Sequence, residues 1–78
     1  MVVIKVLGSG CTNCKNLEAN VRKAVESLGI EAVIAKVTER EEIMKYPILA
    51  TPGLVINEKL VSAGRVPGEA EIAGWLSA

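Results

Sequence analysis

Cys11 and Cys14 are the only cysteines among 78 residues, and they stand three positions apart in the stretch Gly8-Ser9-Gly10-Cys11-Thr12-Asn13-Cys14. At that spacing two sulfurs can approach within one helical turn. The stretch lies between an apolar run, Val2 to Leu7, and a helical pattern from Lys15 to Leu28. A strand that ends in a glycine turn and feeds a helix puts Cys11 at the helix N-terminus. Unpaired N–H groups and the positive end of the helix dipole favour a thiolate there. The residues therefore point to a chain that passes electrons through a Cys11–Cys14 disulfide, with Cys11 attacking and Cys14, inside the first turn, resolving the mixed disulfide. A bridge across so short a gap constrains the unfolded chain little, so the pair is poorly placed as a staple. Two other readings stay open. A structural zinc needs four protein ligands, and this chain supplies two thiolates and no histidine, so zinc would need a second chain. Copper(I) can be held by two thiolates alone. Inert buried cysteines are the third possibility.

The rest of the composition narrows the function. A chain of this length makes one domain, residues 1–78, and half of its residues are hydrophobic, as a packed globule requires. Nine basic and nine acidic residues cancel, and every acid is glutamate. The charges are interspersed, with Glu39 to Glu42 the densest patch, so there is neither a nucleic-acid footprint nor a polybasic membrane tether. Tyr46 and Trp75 are the only aromatics, too few for a base-stacking platform. The apolar runs are short for a bilayer span, and the N-terminus enters a strand at once without a charged leader. The expectation is a cytoplasmic protein, where a vicinal cysteine pair serves redox or metal chemistry more often than structure.

The elements that must position the pair follow in order. Val2 to Leu7 is a β-branched run without clean alternation, as in a strand covered on both faces. From about Thr12 to Leu28, apolar residues at 17, 21, 24, 25 and 28 form one stripe, with Lys15, Glu18, Arg22 and Glu26 opposite it. Gly29 reads as the C-terminal cap. Ile30 to Val37 is a second strand. Thr38 with Glu41 reads as a capping box opening a short helix through about Tyr46, which Pro47 ends. Leu54 to Ile56 and Lys59 to Ala63 read as a hairpin turning at Asn57-Glu58. Pro67 sits where a last helix can begin, with Glu69 and Glu71 in its first turn and Ile72, Trp75 and Leu76 on its apolar side. The order β-α-β-α-β-β-α implies an α/β fold. Its four-stranded mixed sheet has helices on both faces, the first three strands parallel and one antiparallel hairpin added.

Thr51-Pro52 alone is a turn. Placed just before a strand, in a chain with this cysteine pair, it carries a resemblance. The chain resembles the thioredoxin superfamily in its short glutaredoxin-type form. More closely, it resembles the small redox-active disulfide proteins of prokaryotes, which share a Gly-x-Gly-Cys-x-x-Cys opening, a Thr-Pro before the third strand and a Gly-Arg-Val-Pro before the last helix. All three are present: residues 8 to 14, Thr51-Pro52, and Gly64-Arg65-Val66-Pro67. The resemblance implies a thioredoxin-like fold with Pro52 cis and packed against the disulfide. It also implies that the backbone of Thr51 pairs with a substrate segment, and that Gly64 lets the chain pass close to the redox site. Read from the residues alone, Gly64 is an ordinary strand break.

The chain departs from thioredoxin proper. It has no tryptophan before Cys11 and no proline between the cysteines, and where thioredoxins carry a buried acid, six positions before the first cysteine, it has Lys5. A lysine there would favour thiolate and lower a cysteine pKa. The plainer reading is a lysine at a sheet edge reaching out to water. Lys15 and Arg65 could serve a glutathione groove, as in glutaredoxins, but neither stands out from a solvated face. Met44 and Tyr46 read as core or rim residues of the short helix, and Trp75 as packing.

These readings give a thiol–disulfide oxidoreductase with Cys11 as nucleophile, Cys14 as resolving thiol, and Thr51 and Pro52 at the substrate side. It would need no metal and no cofactor beyond its own disulfide. Its partners would be a protein disulfide and an upstream reductase, with no nucleic acid or membrane, and the chain would be a monomer. The alternative, a small soluble copper(I) or soft-metal carrier, uses the same two thiolates. Such carriers end in a strand and have a methionine where this chain has Ser9. This chain ends in a helical pattern.

Overall fold

Strand β1 (Val2–Leu7) is followed by helix α1 (Thr12–Leu28), strand β2 (Ala32–Val37), helix α2 (Arg40–Ile43), strands β3 (Gly53–Ile56) and β4 (Lys59–Ala63), and helix α3 (Glu69–Ser77). The structure is a computed structural model, and it describes residues 2–8, 12–47 and 50–77. Order and types match the sequence reading. The sheet runs β2-β1-β3-β4, so β1 is an inner strand.

β1 and β2 are parallel, from Val2 beside Ala32 to Leu7 beside Val37. β3 lies antiparallel to β1, with Gly53 beside Leu7 and Ile56 beside Ile4. This corrects the expectation of three parallel strands. The end of β2 and the start of β3 flank the same residue, Leu7, so the chain between them stays at one end of the sheet. A parallel β3 would need a crossover that travels back along the sheet. α2, with four residues, rises only about 6 Å and cannot provide it. The expected capping box is also absent: Glu39, not Thr38, is the N-cap, and it makes no side-chain cap hydrogen bond.

The main apolar cluster lies on one face of the sheet, while Leu7 and Val55, also fully buried, belong to the face of Lys5. Ile4 and Val6 of β1, with Leu54 and Ile56 of β3, meet Leu17, Val21 and Ala24 of α1 and Ile72 of α3. On α1 the buried stripe is Cys14, Leu17, Val21 and Ala24, so it starts at the cysteine; Leu28, expected on it, is exposed in the last turn. Trp75 and Leu76 pack against this cluster from α3. Asn20 Nδ2 donates to the Pro67 carbonyl at 3.0 Å, pinning the entry to α3 onto α1.

The two connections that fix orientation follow from turn chemistry. Gly29, at φ 63°, ends α1; its N–H donates to Glu26 O, and the Ile30 N–H donates to Val25 O. These are the paired bonds of a Schellman cap. Asn57 and Glu58 take φ of 49° and 68°, as the tight turn matching strand twist requires. Asn57 also docks on β1: its N–H donates to Val3 O at 2.8 Å, and its Oδ1 accepts from the Val3 N–H at 3.0 Å.

Candidate active site

β1 delivers its last residues to the point where α1 begins and the loop before β3 arrives. The Gly8 N–H donates to Val37 O at 3.0 Å, which carries the β1–β2 pairing one residue past Leu7. Gly8 is buried, and a side-chain carbon built on it would fall inside the contact distance of Cys14 Sγ and lie 3.9 Å from Pro52 Cα. Glycine is the residue that leaves room for the Cys14 sulfur here. Cys14, 5 % exposed, occupies the first turn of α1, and it is disulfide-bonded. Pro52 is fully buried, and the Thr51–Pro52 peptide is cis. Thr51 is exposed. The Gly64 N–H donates to the Pro52 carbonyl at 2.9 Å, so β4 and the loop beyond it hold the proline from the far side. Gly64 takes φ 77°, a backbone region few residues other than glycine enter.

Of the four residues singled out from sequence, Cys14 and Pro52 both lie close to Gly8, and Thr51, next to Pro52, is at the surface. Cys11, the proposed nucleophile, lies outside the described residues.

A small cleft opens beside Cys14. It is lined by Val6 and Gly8, by Lys15 and Glu18 of α1, and by Lys36 and Thr38 at the end of β2. Glu18 is the one carboxylate among these. It accepts from Arg22 at 2.8 and 3.1 Å and pairs with Lys36 Nζ at 3.0 Å. Hydrogen bonds from Arg22, then from Lys36, hold its carboxyl below the usual carboxylate range. The Glu18–Arg22 pair is visible in sequence as an i,i+4 spacing. The Lys36 partner is not, because it depends on the β2 register.

Lys5 is placed differently from either sequence expectation. β1 is an inner strand, so Lys5 is not at an edge. Its neighbour Val6 lines the Cys14 cleft, and Lys5 points to the opposite face by strand alternation. There its ammonium bonds Glu58 Oε1 at 2.6 Å and Tyr46 Oη at 3.1 Å, and Tyr46 Oη donates to Glu58 Oε2 at 3.2 Å. The bonds to Glu58, then to Tyr46, raise the Lys5 pKa, and Lys5 in turn lowers that of Glu58. Tyr46, read as core or rim, is a polar link from the α2 segment to the hairpin turn. Met44, read the same way, is 69 % exposed. Arg65, weighed for glutathione, is bonded to Glu71 of α3.

A β-α-β-α-β-β-α sheet protein with a buried cysteine in the first turn of its first helix and a buried cis-proline before β3 is of the thioredoxin-like class. Comparison with known proteins agrees. The thioredoxin domain family model matches residues 2–77. A thioredoxin of Methanothermobacter thermautotrophicus is 42 % identical over 77 residues, covering 99 % of this chain and all of that one. A thioredoxin of Methanocaldococcus jannaschii is 44 % identical over 72 residues, covering 92 % of this chain and 83 % of the relative. The chain belongs to the thioredoxin domain family, a family of thiol–disulfide oxidoreductases. The crystal structure of the germline-specific thioredoxin Deadhead from Drosophila melanogaster shares the fold at a TM-score of 0.68 and 16 % identity, over 97 % of this chain and 78 % of that one. The copper-carrier alternative finds no support in these likenesses.

Proposed function

We propose that the chain reduces disulfides on partner proteins through a Cys11–Cys14 dithiol. The Cys11 thiolate attacks one sulfur of the partner disulfide, and the other partner sulfur leaves with the electron pair and takes a proton. Cys14 then attacks Cys11 in the mixed disulfide. The second partner sulfur leaves in the same way, and the chain is left oxidised. An upstream reductase or dithiol carrier returns two electrons. Thr51, exposed beside Pro52, offers its backbone to the partner segment in the manner of strand addition. The setting is the cytoplasm and the working unit a monomer.

The observation that carries this reading is the closeness of both Cys14 and Pro52 to Gly8 at the start of α1, in a chain of the thioredoxin family. Cys14 is buried, and Gly8 stands close to both its sulfur and the backbone of Pro52. The test is a redox titration of the metal-free protein in dithiol buffers, read by the mass of alkylated thiols. Disulfide oxidoreductases span about −270 mV for reducing types to about −120 mV for oxidising ones. A two-electron transition near the reducing end is expected. Absence of an intramolecular disulfide at every potential would overturn the proposal.

A further inference from the structure

We infer that Tyr46 is a positioning residue for partner binding: its hydroxyl, clasped by Lys5 and Glu58, fixes the stretch of chain that leads to Thr51. The inference rests on the proposed role of the Thr51 backbone in receiving the partner segment.

The chain leaves the sheet at Val37 and returns at Gly53, and both residues flank Leu7, at the end of β1 that leads to Gly8 and the Cys14 sulfur. Little of the stretch between them is covered. Among the described residues of 38–51, Ile43 and Tyr46 are half-buried and the others are exposed. α2 contains no buried residue. A segment with so few buried contacts opens at low cost in free energy unless something else holds it.

Tyr46 supplies that hold. Its Oη accepts from the Lys5 ammonium at 3.1 Å and donates to Glu58 Oε2 at 3.2 Å, while Lys5 bonds Glu58 Oε1 at 2.6 Å. The ammonium also stands 5.8 Å from the centre of the Tyr46 ring, within reach of a cation–π contact. Among the described residues of the stretch, Tyr46 alone makes side-chain hydrogen bonds beyond it; Lys45 pairs with Glu42 inside it. Glu58 stands at φ 68°, where glycine is favoured. Glycine would ease the turn and remove the carboxylate that bonds both Lys5 and Tyr46.

Thr51 is thereby bracketed. Pro52, next to it, is buried, and its carbonyl accepts from the Gly64 N–H at 2.9 Å. Tyr46, five residues earlier, is clasped at Lys5, two residues before Leu7 and so roughly 7 Å down β1 from the site end. Pro47, Ala50 and Thr51 are exposed. With no burial of its own, the Thr51 backbone takes its geometry from the two ends. A partner strand that pairs with backbone already in place avoids the cost of ordering it. Releasing the clasp frees one end and weakens that pairing. Lys5 and Val6 point to opposite faces of β1, so the clasp lies away from the cleft beside Cys14. Tyr46 acts through Thr51 and touches neither sulfur nor partner.

The experiment mixes the reduced full chain with a disulfide under single-turnover conditions and reads the second-order rate for two substrates. Insulin carries its disulfides within peptide; hydroxyethyl disulfide has no peptide to pair with Thr51. Tyr46→Phe keeps the ring and removes both bonds of the phenol. It is expected to slow insulin reduction about fivefold and to leave hydroxyethyl disulfide reduction unchanged. Glu58→Gln keeps an acceptor for the phenol and is expected to slow insulin reduction less. Met44→Ala, in the same stretch and 69 % exposed, is expected to slow neither. Equal slowing of both substrates by Tyr46→Phe would overturn the inference, because it would mark a general effect on the fold. Unchanged insulin reduction, or an equal effect of Met44→Ala, would overturn it too. A wild-type chain that reduces neither substrate would strike the proposed function and this inference with it. A wild-type chain that reduces both, with no split between them in Tyr46→Phe, would strike only the role of Tyr46.

Discussion

The two faces of the sheet are built from the same strands by opposite means. On one face Ile4, Val6, Leu54 and Ile56 meet α1 and α3 in an apolar cluster that includes no charged group. On the other, the alternate positions of β1 are Val3, Lys5 and Leu7. Lys5 at their centre is tied to Glu58 and Tyr46, while Val33, beside Val3, is 46 % exposed. The cysteine stripe of α1 belongs to the first face; the short α2 segment reaches the second through Tyr46. One face excludes water over long helices. The other buries Leu7 and Val55 near its centre but leaves Val33 half exposed, and it adds a polar link through Lys5, Tyr46 and Glu58. Cys14 sits on the side packed by the two longer helices, where the geometry the proposed reaction needs is best held.

If that contrast is right, truncations on the two faces differ widely. Leu17→Ala removes a fully buried side chain and should cost about 2–5 kcal/mol, read as a lower denaturant midpoint. Val33→Ala on the opposite face should cost under about 1 kcal/mol. Equal losses would mean that the second face is as tightly packed as the first. Gly8→Ala tests the seam between them. The added methyl would overlap Cys14 Sγ, and a cost of about 1–3 kcal/mol is expected. Because the overlap is with the sulfur itself, the redox potential should move with the stability; a stable variant with an unchanged potential would show that Gly8 is not what sets the approach.

Much of this was legible in the sequence, and the parts that were not have a common cause. Local rules located Gly29, the Asn57-Glu58 turn and the α1 stripe, because each depends on residues within a few positions. They failed at the capping box, where Thr38 is followed by a helix of four residues with Glu39 as its cap. They failed for Lys5 because whether a strand is inner or edge is settled by β3 pairing with β1, some fifty residues away. The same long-range pairing reversed the expected direction of β3. At the site, Cys14 stood out by type and spacing, and Thr51 and Pro52 only through the resemblance to the thioredoxin superfamily. Gly8 did so only as a turn residue, and its closeness to both Cys14 and Pro52 appears once both are placed. Lys36 gave no signal at all, since its partner Glu18 stands on α1 and meets it only once the helix packs on the sheet.

A smaller effect probes the core face at its β4 margin. Ser62 is buried opposite Leu54, and its hydroxyl has no hydrogen-bond partner among the described residues. A buried hydroxyl without a partner costs free energy, so Ser62→Ala should leave stability unchanged or raise it by about 1 kcal/mol. A loss of stability would show that the hydroxyl is satisfied after all, and that the apolar face carries a polar bond of its own.

The smallest effect belongs to the opposite face, and its pH dependence is what identifies it. The Glu58 pKa is lowered from 4.5 by its bond to Lys5, so this part of the stability is present above that value and is lost as pH falls through the lower folded-state value. The Lys5 pKa is raised from 10.5, so its part is fully present below that value and is lost as pH rises through the folded-state value above it. The Tm difference between the wild type and Lys5→Met should therefore be flat from about pH 5 to about pH 10 and shrink on both sides. Glu18 and Glu71 are also lowered by their partners, but both chains carry them, so the acid losses they cause cancel in the difference. Tyr46→Phe removes both hydrogen bonds of the phenol and leaves the Lys5–Glu58 pair, so it should lower the plateau and shorten the decline on either side of it. A difference that stays constant down to strong acid would mean that Lys5 acts on the second face by packing its methylene stem against Tyr46, with its charge contributing nothing.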